Sequence, residues 1–195
     1  FNGDIKDWSR NNLHAHYKGG EPQFVNDPKF GKVLSLLGGQ NQYLTLPQDI
    51  LSNVESLSIS AWVYLRSDDR GQYIYDFGKQ GLSNFGLSPL GSVEENGLTA
   101  SLRNSAKLNN VYTAIAPPLG QHKWEHIVVV VDAPSKSMIT YLNNKKIAAV
   151  NNVNVDLLKL FPNQGMNGYA FNIGKSLLKN EVSLDALLHD FRIYR

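Results

Sequence analysis

Ser56-Leu57-Ser58-Ile59-Ser60-Ala61-Trp62-Val63-Tyr64-Leu65-Arg66 alternates without a break. Leu57, Ile59, Ala61, Val63 and Leu65 fall on one side of an extended chain, and Ser58, Ser60, Trp62 and Tyr64 on the other. Side chains of a strand point to opposite faces with a period of two, so this stretch reads as a half-buried strand with an apolar core face and a polar-aromatic outer face. Residues 124–132 are apolar on both faces over most of their length, as expected of a strand central to a sandwich. The apolar runs 138–142 and 146–150 flank Asn143 and Asn144. Two Asn between such runs suit a two-residue hairpin, because Asn tolerates positive φ.

Working outward, further strands are expected at 13–18, 33–37, 43–46, 73–77, 85–90, 98–103, 112–116, 169–174 and 187–194. Turn signals separate them: Gly19-Gly20, Gly38-Gly39, Asp68-Asp69-Arg70-Gly71, Asn96-Gly97 and Pro117-Pro118. Many short strands with such punctuation argue an all-β, two-sheet antiparallel sandwich. Only 47–53, with Pro at its start, and 156–161, with an Asp cap, suit short helices. No repeat, low-complexity tract or linker interrupts the 195 residues, which read as a single domain, 1–195. Phe1 at one end and Arg195 directly after an apolar strand at the other read as cuts from a longer multidomain polypeptide.

Composition narrows the function. Nineteen Lys and Arg against 17 Asp and Glu leave a net charge of +2, with charged residues at only 18%. That balance gives no electrostatic case for nucleic acid, which calls for a clustered basic face. Twenty Asn take up the deficit, a surface suited to hydrogen bonding rather than ion steering. The absence of Cys excludes disulfide scaffolds, zinc-thiolate sites and cysteine nucleophiles. The longest apolar run, 127–131, is strand length, so no membrane-spanning helix is expected.

Several phrases, taken in order, resemble laminin-G-like domains of the concanavalin A-like lectin/glucanase superfamily. Asp7-Trp8-Ser9-Arg10-Asn11-Asn12 resembles the family's D-x-S-G-N-x opening. Gly31-Lys32-Val33, followed by Leu37-Gly38-Gly39-Gln40-Asn41-Gln42-Tyr43-Leu44-Thr45-Leu46-Pro47, is similar to its next segment. Leu57-Ser58-Ile59-Ser60-Ala61-Trp62-Val63, Lys123-Trp124-Glu125-His126-Ile127-Val128, Asn172-Ile173-Gly174 and His189-Asp190-Phe191-Arg192-Ile193-Tyr194 resemble later strands. The resemblance implies a jelly-roll sandwich with its first and last strands close together. It also implies a module of the type appended to extracellular bacterial glycoside hydrolases, and a secreted, periplasmic or cell-surface location. Partners would be a polysaccharide or oligosaccharide and the catalytic domain of the same polypeptide.

Four kinds of site are candidates. The resemblance implies a structural calcium ion where the opening loop meets the last strand. Calcium takes six to eight hard oxygens, and Asp7, Asn11, Asn41 and Asp190 are the expected ligands, with Ser9, Asn12 and Gln40 nearby. Two departures weigh against it: Arg10 replaces the family's Gly, and His189 replaces an Asp. The alternative is that Asp7 caps a turn and Asp190 faces solvent. A glycan face is the second candidate, with Trp62, Tyr64, Tyr73 and Tyr75 as platforms and Arg103, Ser101 and Thr99 on the border, against the alternative that these aromatics are core. Third come the loop residues Asn84, Asn109, Asn110, Tyr112, Asn163, Asn167 and Tyr169, with exposed Trp8 and Tyr17, against a merely solvated surface. Catalysis is the fourth. Glycoside hydrolysis needs two carboxylates held about 5 to 10 Å apart, and no strand carries acids at matching spacing. Glu94-Glu95 and Asp68-Asp69 read as solvated turns, and His14 and His16 lack a third metal ligand. The expectation is a non-catalytic carbohydrate-binding module of a polysaccharide-degrading enzyme. Its alternatives are an accessory domain that packs on a catalytic domain without binding sugar, and an adhesion module.

Overall fold

The computed structural model describes residues 1–104, 111–163 and 165–195. Among the described residues fourteen strands form two seven-stranded antiparallel sheets, the expected all-β sandwich. The first sheet runs β1 (His16–Lys18), β4 (Tyr43–Thr45), β13 (Tyr169–Ile173), β6 (Tyr75–Lys79), β7 (Ser83–Ser88), β8 (Leu98–Arg103) and β9 (Val111–Ala116). The second runs β12 (Lys145–Asn151), β11 (Ser137–Leu142), β10 (Trp124–Asp132), β5 (Leu57–Leu65), β14 (Ala186–Tyr194), β3 (Gly31–Leu36) and β2 (Gln23–Asp27).

The alternation of β5 holds: Leu57, Ile59, Val63 and Leu65 are buried, and Trp62 and Tyr64 are half-buried on the other side. β10 alternates as strictly, with Ile127, Val129 and Val131 inward and Val128 and Val130 outward. Between the layers, Tyr75, Phe77, Phe85 and Phe171 of the first sheet meet the inward aliphatic side chains of the second. Burying a Leu, Val or Phe side chain contributes about 1.5–3 kcal/mol, so this one core dominates stability. Asn143 and Asn144 both take positive φ, and the hairpin β11–β12 turns on them as expected.

The two helical stretches are a 3-10 turn, Gln48–Leu51, and a single α-turn, Leu157–Leu160. Asp156 caps the latter, its Oδ1 accepting from Leu158 N at 3.0 Å. Two expectations need correction. β2 is a strand that the sequence does not announce, because only Phe24 and Asp27 of it are even half-buried. The first and last strands lie in different sheets, β1 beside β4 and β14 between β3 and β5. What meets the end of β14 is the irregular segment ahead of β1, from Phe1 to Ala15.

Candidate functional site

The sandwich separates the residues expected to share a glycan face. Trp62 and Tyr64 stand on the outer face of the second sheet, Tyr73 and Arg103 border the outer face of the first, and Tyr75 is core at 1% exposure. The single expected face therefore does not exist, because β5 and β6 belong to different layers. Tyr75 also breaks step with Tyr73: Ile74 and Tyr75 are both buried, so period-two alternation fails just before β6 begins.

On the second sheet the Trp62 ring is covered. Phe30, from the turn between β2 and β3, sits 5.1 Å from it centroid to centroid, and Lys29 Nζ lies 4.2 Å above it. His126 packs at 5.0 Å, and Phe30 also stacks on His189 at 4.5 Å. Trp124 donates through Nε1 to Asp27 Oδ2 at 2.8 Å, which ties the same turn down. Desolvation lowers the pKa of both His126 and His189 below the ordinary imidazole value. This cluster is a small outer core that fastens the β2–β3 hairpin, and the Trp62 face is occupied by the protein itself.

On the first sheet a polar groove of about 130 Å³ runs over β7, β8 and β9. Strand register fixes its rows: Asn84 beside Arg103 and Val111, Gly86 beside Ser101 and Thr113, and Ser88 beside Thr99. Tyr73 forms one wall. One edge of its ring packs over Gly86, which has no side chain; a Cβ there would stand 3.0 Å from Tyr73 Cε1 and 3.1 Å from Asp76 Oδ1. Gln72, fully buried, positions the segment: its Nε2 donates to Ser67 O at 3.1 Å and its Oε1 accepts from Asp185 N at 2.7 Å. Burial pushes the Tyr73 hydroxyl up to about 12, so it is a neutral donor at physiological pH.

Glu95 closes one end of the groove on the turn between β7 and β8. Arg70 clamps that turn, donating to Gly91 O and Ser92 O at 2.8 Å each and to Asn96 Oδ1 at 2.6 Å. Glu95 and Ser92 close it reciprocally, Ser92 N donating to Glu95 Oε2 at 2.8 Å. Beside the groove, on the same face and next to Gly86, lies Asp76, 2% exposed. Its Oδ1 accepts from Asn84 Nδ2 at 3.0 Å and its Oδ2 from Leu177 N at 2.9 Å. Burial pushes its carboxyl up to about 6 even against these bonds. The result is an aromatic wall, a central row of hydroxyls, an amide, and a charged group at each end. Such a set recognises a polyhydroxylated ligand, through ring stacking on one side and directional hydrogen bonds on the other.

A larger cleft of about 580 Å³ opens between the N-terminal segment and β14. Three expected calcium ligands, Asp7, Asn11 and Asp190, line it, and Asn41 does not. Asn41 instead accepts from Ser183 Oγ at 3.2 Å. The donor set does not fit a calcium cage. Asp7 Oδ1 accepts from Ser9 N, and Oδ2 accepts from Ser9 Oγ and Leu13 N, all within 2.9 Å. Burial raises the Asp7 pKa, but these bonds outweigh it and hold the carboxyl below its ordinary range. Asp190 Oδ1 is paired with Arg192 Nε at 2.7 Å. Among the described residues no three His, Asp or Glu side chains converge on a metal position. The cleft floor is apolar, built from Leu13, Leu46, Ile50, Ile173 and Ile193, with Trp8 79% exposed at the rim.

Of the loop candidates, only Asn84 lines the groove. Asn163 is spent on Asn53, Tyr112 OH accepts from Asn154 N at 3.2 Å, and Asn109 and Asn110 lie outside the described residues. Glu95, read from sequence as part of a solvated turn, was missed; the signal was its place four residues before Thr99, on a turn that a Gly at each end allows to fold back.

The family model for the concanavalin A-like lectin/glucanases superfamily matches residues 37–195. No curated protein matches the sequence. Among solved structures, domain 4 of AbnA, a GH43 extracellular arabinanase from Geobacillus stearothermophilus in complex with arabinotriose, gives a TM-score of 0.78 at 19% identity, over 100% of this chain and 88% of that one. The binding domain of botulinum neurotoxin serotype C1 gives 0.64 at 17% identity, over 97% of this chain and 45% of that one. The binding domain of botulinum neurotoxin DC in complex with SialylT gives 0.63 at 16%, over 97% and 44%. At these identities the likeness is one of fold.

Proposed function

The chain belongs to the concanavalin A-like lectin/glucanases superfamily, and on that premise we propose that it is a non-catalytic glycan-binding module whose ligand lies in the groove over β7, β8 and β9. The observation that carries this reading is the Tyr73 ring packed over Gly86 beside Asn84, Ser101, Thr113 and Arg103. A sugar offers an apolar ring face to Tyr73 and hydroxyls to the rest. The arabinotriose held by the structurally similar arabinanase domain supports the class of ligand. The chain works by proximity: tethered to a polysaccharide-degrading enzyme of an extracellular, periplasmic or cell-surface bacterial system, it raises that enzyme's effective concentration at the polymer.

A glycan array, followed by calorimetry on the best ligand, tests the reading. Tyr73→Ala should weaken binding about five- to tenfold, on the scale of an aromatic contact worth about 1–1.5 kcal/mol. Gly86→Val, which pushes the ring off the sheet, should do the same. A blank array, or unchanged affinity in both variants, overturns it.

One observation favours a second reading, that of an accessory domain packing on a neighbour. Trp8 stands exposed beside an apolar-floored cleft. A neighbouring domain that laid an apolar side chain into this cleft would cover Trp8 and its floor together. A blank array, together with loss of association with the parent's catalytic domain in Trp8→Ala, would favour it.

A further inference from the structure

The groove has a polarity that the glycan reading alone does not use, and the inference drawn from it rests on that reading. Arg103 ends β8 on its outward face, in register with Asn84 and Val111. It is half-buried and fixed on a strand with paired neighbours on both sides. Three other arginines are occupied. Arg66 binds Asp185, Ser35 and Leu36 O; Arg70 binds Gly91 O, Ser92 O and Asn96; Arg192 binds Asp190. The four ion pairs among the described residues do not include Arg103, and no hydrogen bond joins its guanidinium to a described residue. The residues that follow it, 104–110, contain no Asp or Glu and add Lys107.

Neither nearby carboxylate is in contact with Arg103, although Asp76 is close enough to feel its charge. Glu95 is closed onto Ser92 N at the opposite end of the groove. Arg103 and Thr99 are four residues apart on one strand, a span of roughly 13 Å. Asp76, on the groove's own face beside Gly86, is covered by Asn84 and Leu177, and its charge reaches Arg103 without a direct bond. The Arg103 guanidinium thus has no anion in contact among the described residues and keeps donors to offer a ligand. Its planar fork matches a carboxylate in two parallel bonds.

We propose that the groove takes an acidic glycan, with the carboxylate of a uronic-acid-type sugar on Arg103 and the sugar's hydroxyls on Ser101, Thr113 and Asn84. The test is affinity electrophoresis and calorimetry of the whole chain. The probes are polygalacturonate and alginate, the same polymers with their carboxyls reduced to alcohols, and neutral arabinan. The wild-type chain should bind an acidic polymer at least tenfold more tightly than its reduced form, and binding should weaken as salt rises. Arg103→Gln should remove that preference and leave the melting temperature unchanged, and Arg103→Lys should restore it only in part, since an ammonium cannot make the paired bonds. Equal binding of acidic and reduced polymers, or preference for arabinan, overturns the acidic-ligand inference. The glycan reading then stands if Tyr73→Ala still weakens binding. Failure of every polymer overturns both.

Discussion

Tyr73 and Tyr75 are two residues apart and would share a face in one regular strand, yet one walls the groove and the other is core. The sequence supplies both as outward aromatics; only the tertiary fold breaks the alternation, by burying Ile74 as well. The Tyr75 hydroxyl is buried with no hydrogen-bond partner among the described residues. A buried donor left unmade costs about 1–3 kcal/mol. Tyr75→Phe should therefore leave stability unchanged or raise it by about 1 kcal/mol, read as denaturant midpoint, and leave glycan affinity untouched. Loss of more than 1 kcal/mol would show that the hydroxyl has a partner. The opposite residue-scale case is Asp7. The sequence shows a carboxylate in a polar loop, which reads equally as a calcium ligand or a turn cap, and the structure settles its present partners as Ser9 and Leu13. With those oxygens satisfied, the melting temperature should not move between millimolar calcium and chelator. A rise of several degrees in calcium would restore the ion.

At the scale of elements, strands with a strong apolar face were readable and those without one were not. β5, β8 and the β11–β12 hairpin follow the alternation and the turn residues directly. β2 is an edge strand whose Gln23, Val25 and Asn26 are exposed, so its backbone pairing with β3 leaves no trace in hydrophobic pattern. The abundance of Asn also acquires a local cause. Among the described residues, seven of the ten non-glycine positions with positive φ are Asn, Asn143 and Asn144 among them. A β-branched residue in the left-handed region costs about 1–2 kcal/mol, whereas Gly enters it freely. Asn144→Val should lower unfolding free energy by about that amount and Asn144→Gly should not, measured by urea denaturation. Equal loss in both would mean that the amide, not the backbone, holds the turn. The groove's far wall depends on a second element, the turn that Arg70 clamps from outside. Arg70→Ala should weaken ligand binding severalfold through Glu95 while leaving the core, and so cooperative unfolding, intact; an unchanged affinity would show that Glu95 does not contact the ligand.

Across the whole molecule, the sandwich decides which aromatic is available. Trp62 and Tyr73 were equivalent candidates in sequence, because nothing local says that β5 and β6 end in different sheets or that Lys29 and Phe30 fold over Trp62. Asp76 joins the groove to the 174–185 loop, through Asn84 on one side and Leu177 on the other. Its carboxyl sits near 6 in the folded chain because of burial, against a reference value of 3.8. The folded state thus holds a proton that the unfolded chain releases. The stability this provides is full below about pH 4 and is lost as pH rises through about 6. A gap of about two units corresponds to something on the order of 3 kcal/mol. His126 and His189, lowered by desolvation, act in the opposite sense: their contribution is present above the ordinary imidazole value and fades as pH falls. Both are largely solvent-screened, so Asp76 should prevail. Asp76→Asn mimics the protonated acid. Urea unfolding of both proteins at pH 4, 5, 6 and 7 should show the variant gaining on the wild type by about 2–3 kcal/mol from the lowest pH to the highest. A difference that stays flat across that range would mean that Asp76 ionises as an ordinary carboxylate, and that its bonds to Asn84 and Leu177 fully offset its burial.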